Sequence, residues 1–212
     1  MVDAGGVMVK FDYQGKTVYF PPTGKMYTSH FKKGHFYEHD FLEYIASLNL
    51  VGTYLDVGCN LGNHLLFFAK YTKAERTIAF EPIERFQLNI QKVIEINNIS
   101  DQVSLLPVAA SDHDFRGILT FNSVDYEVKY ITIDSLNLED VALIKIDVEG
   151  MEKNVLIGSL DTIDRCKPVI FAEAHSDSQK RELDDILSRV GYKPSGNIFN
   201  ATPTHEYLPT EM

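Results

Sequence analysis

Residues Thr53–Gly62 read TYLDVGCNLG and run on into the apolar stretch Asn63–Ala69. Apolar and β-branched residues lead into Asp56, Gly58 and Gly62 bracket a short loop, and a helix-compatible segment follows. Strand, glycine loop and helix in that order let backbone approach a nucleotide-like ligand closely. Asp56 decides which kind. A loop built for pyrophosphate offers N–H groups and a helix N-terminus to negative charge, and a carboxylate at its threshold repels such a ligand. A cationic cofactor is attracted instead, and S-adenosylmethionine, with its sulfonium and ammonium groups, fits where a dinucleotide does not.

Outward from this stretch the chain alternates. On the N-terminal side Val7–Tyr13 and Thr17–Phe20 flank Gln14-Gly15-Lys16 and predict a hairpin ended by Pro21-Pro22. Thr23–His35 shows no period and reads as a loop or lid, and Phe41, Leu42, Ile45 and Leu48 give a helical stripe. On the C-terminal side Thr77–Phe80, Val103–Val108, Val141–Val148 and Val169–Ala172 predict strands. Helices are expected around Phe86–Ile94, closed by Asn97-Asn98, from Met151 to Ile163, and across Leu183–Val190, closed by Gly191. Gly117–Phe121 and Val128–Ile133 read as two inserted strands. Alternation of this kind predicts an α/β domain with a parallel sheet covered on both faces. No repeat or linker divides it, so residues 1–212 read as one domain, with 1–35 a hairpin and lid segment and 36–212 the core.

Composition limits the partners. The 212 residues carry a net charge of −10, with 44% hydrophobic and 24% charged residues. That suits one full core. It argues against nucleic acid and anionic membrane, both of which draw on Lys/Arg surfaces. Cys59 and Cys166 are the only cysteines and give no disulfide framework or zinc spacing. No signal sequence or bilayer-length apolar run is present, so the protein reads as soluble and cytoplasmic, without membrane insertion.

The strongest signal lies in how the strands end: YLDVG, IAFEP, LPVAASD, LIKIDVEG and IFAEAH. Ligand crevices of open α/β sheets lie outside the strands' carboxyl ends. Asp56, Glu81, Ala110, Asp112, Asp147, Glu149, Glu173 and His175 are therefore expected along one rim. So many acids face a cationic or hydroxyl-rich ligand, because an unpaired buried carboxylate is expensive. Glu81 follows Asp56 near the roughly 20-residue offset at which an acid reaches a ribose.

DVGCNLGNH, AFEP, LIKIDVEGME, VLIGSL and PVIFAEAH resemble the FkbM-type S-adenosylmethionine-dependent O-methyltransferases, members of the class I methyltransferase superfamily. The similarity runs from about Phe36 to Tyr192. It implies a Rossmann-like, mostly parallel seven-stranded sheet with helices on both faces and an antiparallel final strand, here near His205–Leu208. The resemblance assigns Asp56, Gly58, Asn60 and Gly62 to the methionine part of the cofactor, Glu81 to its ribose, and Ala109 or Ala110 together with Asp112 to adenine, the ASD sequence only loosely fixing which. It implies methylation of hydroxyls on sugars, polyketides and related natural products, with a deoxyhexose such as rhamnose or fucose favoured. HFYEHDF resembles the family's stretch before the first strand and makes Phe36, Tyr37 and Glu38 candidate substrate contacts. Cys59 stands where the family more often has Ala and reads as packing.

Methyl transfer from a sulfonium needs a lined-up nucleophile and a proton acceptor. Asp147 is the expected base and His175 its rival. Glu149 and Glu173 raise each other's proton affinity, and Lys145, on the strand face of Asp147 by two-residue alternation, offsets the acids. A divalent cation on Asp147, Glu149, Glu173 and His175 is conceivable but not favoured, since no tight ligand spacing supports it. A nicotinamide-dependent oxidoreductase would want G-x-G-x-x-G, and GCNLG stands in its place. A non-catalytic cofactor-binding domain and methylation of a non-sugar natural product are the other readings. The expected partner is a sugar or glycan acceptor, with the chain in a larger glycan-synthesis protein or complex.

Overall fold

The computed structural model describes residues 8–21 and 25–210. Its main sheet is built from the apolar runs. Seven strands stand in the order β11-β12-β10-β9-β3-β4-β5, where β3 is Gly52–Val57, β4 Ala74–Phe80, β5 Val103–Leu106, β9 Val141–Ile146, β10 Val169–Glu173, β11 Tyr192–Phe199 and β12 Thr204–Pro209. β12 runs antiparallel to both β10 and β11, and the remaining pairs are parallel. From β3 the chain winds outward through β4 and β5, then returns to the other side at β9. That reversal is the switch point at which an open sheet leaves a crevice.

Every residue of β3 is buried, as a strand covered on both faces requires. Tyr54 points into one core layer and Leu55 and Val57 into the other. The first layer holds α2 (His39–Ser47), α3 (Asn63–Tyr71) and α4 (Glu84–Ile96); the second holds α5 (Glu152–Ile157), α6 (Leu160–Cys166) and α7 (Asp177–Ser188). Gly191, at φ +79, ends the turn after α7 in the left-handed conformation a glycine takes cheaply. The N-terminal hairpin pairs β1 (Val9–Tyr13) with β2 (Lys16–Phe20) through a Gln14-Gly15 turn. Val7, expected in its first strand, lies outside the described residues.

The structure corrects three boundaries. Within Thr23–His35, expected as a loop, Lys25–Phe31 is a helix, α1, and residues 23 and 24 lie outside the described set. Phe31, 1% exposed, stacks on Phe20 at 4.0 Å between ring centroids, so burial of one aromatic face overrides the missing period. The helix expected from Met151 to Ile163 is two, α5 and α6. A Cβ on Gly158 would meet the Ser111 carbonyl oxygen at 1.9 Å, so a glycine stands between the two helices where the chain touches Ser111. The strand expected over Val103–Val108 stops at Leu106, before Pro107. Ala109–Ala110 (β6) joins β7 (Phe115–Phe121) and β8 (Val124–Ile131) in a separate three-stranded sheet. Asn122 and Ser123, both at positive φ, make the tight turn of that hairpin.

Phe36 was expected at the substrate. It is fully buried instead, edge-on to Phe11, Tyr13 and Phe67, where it ties the hairpin to α3. An aromatic with this many ring partners is a packing residue. Phe36→Ala is expected to cost about 3–5 kcal/mol of stability in urea denaturation, with ligand affinity of the folded fraction unchanged.

Candidate active site

At the switch point, register puts Asp56 directly beside Lys145 on the neighbouring strand. Lys145 Nζ lies 3.2 Å from Asp56 Oδ1, 3.2 Å from the Gly58 carbonyl oxygen and 3.5 Å from Asp147 Oδ2. Lys145 is 2% and Asp56 0% exposed. The lysine sits off the hydrogen-bonding axis of the Asp56 carboxylate, whose oxygens have no hydrogen-bond partner among the described residues, so charge dominates the pairing. Burial lowers the proton affinity of Lys145, but the carboxylates of Asp56 and Asp147 outweigh it and hold the ammonium well above its ordinary value. Burial likewise favours the neutral form of Asp147, yet Lys145 and then His64 hold its carboxyl below the usual range. Asp147 is a fixed negative charge.

Gly58 turns the chain out of β3 at φ +82, and a Cβ there would meet the Asp147 carbonyl oxygen at 1.8 Å. The glycine is therefore demanded by the adjoining strand, whatever ligand approaches. Glu81, one residue past β4 and 4% exposed, accepts hydrogen bonds from the Asn60 N–H at 3.0 Å and the Ile83 N–H at 2.8 Å. Its carboxylate spans the glycine loop and the start of α4. Burial pushes its pKa up to about 7 against these two bonds.

These groups open on a cavity of about 530 Å³, the size of a small-molecule site. One wall is the glycine loop with Glu81 and Ile83–Phe86; a second is Ala109, Ala110 and the Ile118–Phe121 edge of the small sheet; a third carries Tyr27, Tyr37, Glu38, His64, Asp147 and Glu173. Burial, then the neighbouring Asp147, raises Glu173 to about 8. Among the described residues Lys145 is the single lysine or arginine in the lining, and its charge is spent on Asp56 and Asp147. The cavity is acidic, which fits a cationic cofactor.

Of the residues expected at the rim, Gly58, Asn60, Glu81, Ala110, Tyr37, Glu38, Lys145, Asp147, Glu149 and Glu173 line this cavity. Asp56 lies beneath it, and Gly62 caps α3 at φ +84 against Leu65 and Ile90. Asp112 faces out beside His113. His175 sits outside the lining, its Nε2 3.1 Å from Glu173 Oε2. Asn63, His64 and Thr202 line it and were not anticipated; the only sequence signal for the first two is a polar pair opening an apolar helix. Glu152 is also new. Its Oε1 accepts from the Val148 and Gly150 N–H groups, which closes the loop after β9. Glu152, Glu173 and His175 offer ligand atoms within 4.8 Å of one another, but this bonding already occupies one Glu152 oxygen. Cys59 is buried in the core, as packing requires.

A seven-stranded sheet with an antiparallel strand inserted beside β10, and an acid-lined cavity at the switch point, define a class I methyltransferase fold. The sequence profile of the Methyltransferase FkbM domain matches residues 56–194, and the chain belongs to that family. The FkbM methyltransferase of Methylobacillus flagellatus KT superposes with a TM-score of 0.62 at 23% identity, over 74% of this chain and 43% of that one. This chain thus spans less than half of that protein's length. An rRNA methylase from Streptococcus thermophilus matches at TM-score 0.55 and 14% identity, over 81% of this chain and 94% of that one. A candidate tRNA methyltransferase from Streptococcus pneumoniae, solved with S-adenosyl-L-methionine, matches at 0.53 and 16%, over 80% and 70%. No curated protein sequence matches the chain. Among the described residues no helix is long and apolar enough to cross a membrane.

Removing one member of a buried ion pair strands the other. Lys145→Met is therefore expected to cost about 3–5 kcal/mol in urea denaturation, and adding Asp56→Asn is expected to recover a large part of it.

Proposed function

We propose that the protein transfers a methyl group from S-adenosylmethionine to a hydroxyl of a neutral sugar or glycan. The observation that carries this reading is the acidic cavity at the switch point, with Glu81 reaching across the glycine loop. When bound, the cofactor supplies an already activated methyl cation equivalent. Glu81 would hold its ribose, since an ionised carboxylate can accept from two vicinal hydroxyls. Asn60 and the loop backbone would bound its methionine part, and Ala110 with Phe86 and Ile83 its apolar ring. Asp147 supplies fixed negative charge for the donor's cation and accepts a hydrogen bond from the acceptor hydroxyl.

The rings of Tyr27 and Tyr37, 5.0 Å apart between centroids, offer the acceptor a polarisable face, with Glu38 and Glu173 as further hydroxyl acceptors. Burial raises both phenols, so they donate rather than ionise. Sugars present hydroxyl donors and flat C–H faces, which matches this wall. A net charge of −10 supports a sugar rather than RNA as acceptor. We place the protein in the cytoplasm, as part of a larger glycan-synthesis protein or complex.

Calorimetry is expected to show binding of S-adenosylmethionine and S-adenosylhomocysteine and none of NAD. A labelled-methyl screen over monosaccharides and glycans is expected to label a neutral sugar. Firm binding of NAD with the sulfonium ignored would overturn the reading. Acceptance of ribose hydroxyls needs ionised Glu81, and its pKa near 7 sets the window. Cofactor affinity should thus rise from pH 6 to pH 8, by up to ~tenfold for one group titrating at the midpoint. Glu81→Gln should bind more weakly and flatten that dependence.

A further inference from the structure

Glu38 and His64 stand side by side in the cavity wall, next to the Lys145 network. His64 Nε2 lies 2.9 Å from Glu38 Oε2, with side chains 8% and 14% exposed. Glu38 adopts φ 56, ψ 41, a left-handed conformation that non-glycine residues rarely hold. It stands at the N-cap of α2, yet its carboxylate makes no capping bond. Asn63 locks the strained segment from both sides, accepting from the Tyr37 N–H at 3.1 Å and donating to the Tyr37 carbonyl at 2.9 Å. The ring of His64 is fixed edge-on to Phe41 and stacked over Phe68. Strain held by a dedicated clamp points to function.

A purely structural pair would need neither the strained backbone nor a place on the cavity wall. Around the pair stand Tyr37, whose hydroxyl donates to Glu38, and Asp147 and Lys145 from the end of β9, with Glu173 beyond Asp147. Among these, Lys145 holds Asp147 ionised and makes it a poor proton acceptor. His175 lies outside the lining. The imidazole of His64 is the remaining nitrogen base on this wall.

We propose that His64, oriented by Glu38, takes the proton of the acceptor hydroxyl; this rests on the methyl-transfer reading of the same cavity. As the acceptor oxygen bonds the methyl carbon, the carbon–sulfur pair leaves with the sulfur of the sulfonium donor and the hydroxyl proton passes to the imidazole. Nothing is oxidised or reduced. His64 Nε2 lies beside the Glu38 carboxylate but off its hydrogen-bonding axis; that charge favours the Nε2–H tautomer, which leaves the Nδ1 lone pair to receive the proton.

The first test needs no cofactor. Ring-nitrogen NMR of the wild-type protein is expected to show the Nε2–H tautomer of His64, and Glu38→Gln is expected to lose that preference. The opposite tautomer in the wild type would overturn the proposal. In turnover, His64→Gln is expected to lower kcat at least ~100-fold, with S-adenosylmethionine affinity of the folded protein retained, and Glu38→Gln to lower it less. Imidazole added to His64→Ala should restore part of the rate. A His64→Gln variant within threefold of wild-type kcat, or His64→Ala that binds cofactor but gains nothing from imidazole, would sink the proposal alone. Failure of the wild type to methylate any hydroxyl acceptor would sink the methyl-transfer reading and this assignment with it.

Discussion

The ammonium of Lys145, enclosed between β3 and β9, is the contact on which the site depends. A lysine so deeply buried is tolerated only when oxygens replace its water, and Asp56, Gly58 and Asp147 each supply one. They belong to the end of one strand, the loop beyond it and the first residue past its neighbour. One cation therefore fixes three backbone segments at the point where the sheet reverses direction. It also divides the acids: Asp56 is consumed beneath the floor, while Glu38, Glu81, Asp147 and Glu173 remain to face a ligand.

The alternation of strands and helices was legible because each apolar run carries its own period and stop signals. The rim was legible for the same reason, since a strand's last residues must stand at its carboxyl end. The pairing of Asp56 with Lys145 was not legible, because it is set by register between β3 and β9, strands far apart in the sequence. No local pattern carries register. Phe36 and α1 failed in the same way: an aromatic beside a functional segment looks like a ligand contact until the hairpin that buries it is in place. Asp112 shows the limit of reading by strand ends, for β6 leaves the main sheet and turns that carboxylate outward.

Two features of the family's sequence motifs have internal causes. Gly58 is a glycine because the Asp147 carbonyl occupies the space a Cβ would need. The acid of the GME segment, Glu152, satisfies two N–H groups in the loop that carries Glu149 at φ 57 and Gly150 at φ 105. Both hold Asp147 and its neighbours at the cavity edge. The sequence block most specific to the family is thus largely a device for keeping a loop in place.

The electrostatics bear on the proposed acceptor as well as on the donor. A sulfonium donor brings one net positive charge, since its ammonium and carboxylate cancel. Even with Glu81 and Glu173 partly protonated near neutrality, the carboxylates of the wall match or exceed that charge. A phosphate or carboxylate on the acceptor would enter with no free cation among the described lining residues to meet it, because Lys145 is already paired. A neutral polyol meets the opposite condition: each hydroxyl donates to a carboxylate and leaves its lone pairs toward Tyr27 and Tyr37. The fold is shared with proteins named for RNA methylation, so the fold cannot choose among acceptors. The charge of this wall favours the uncharged one.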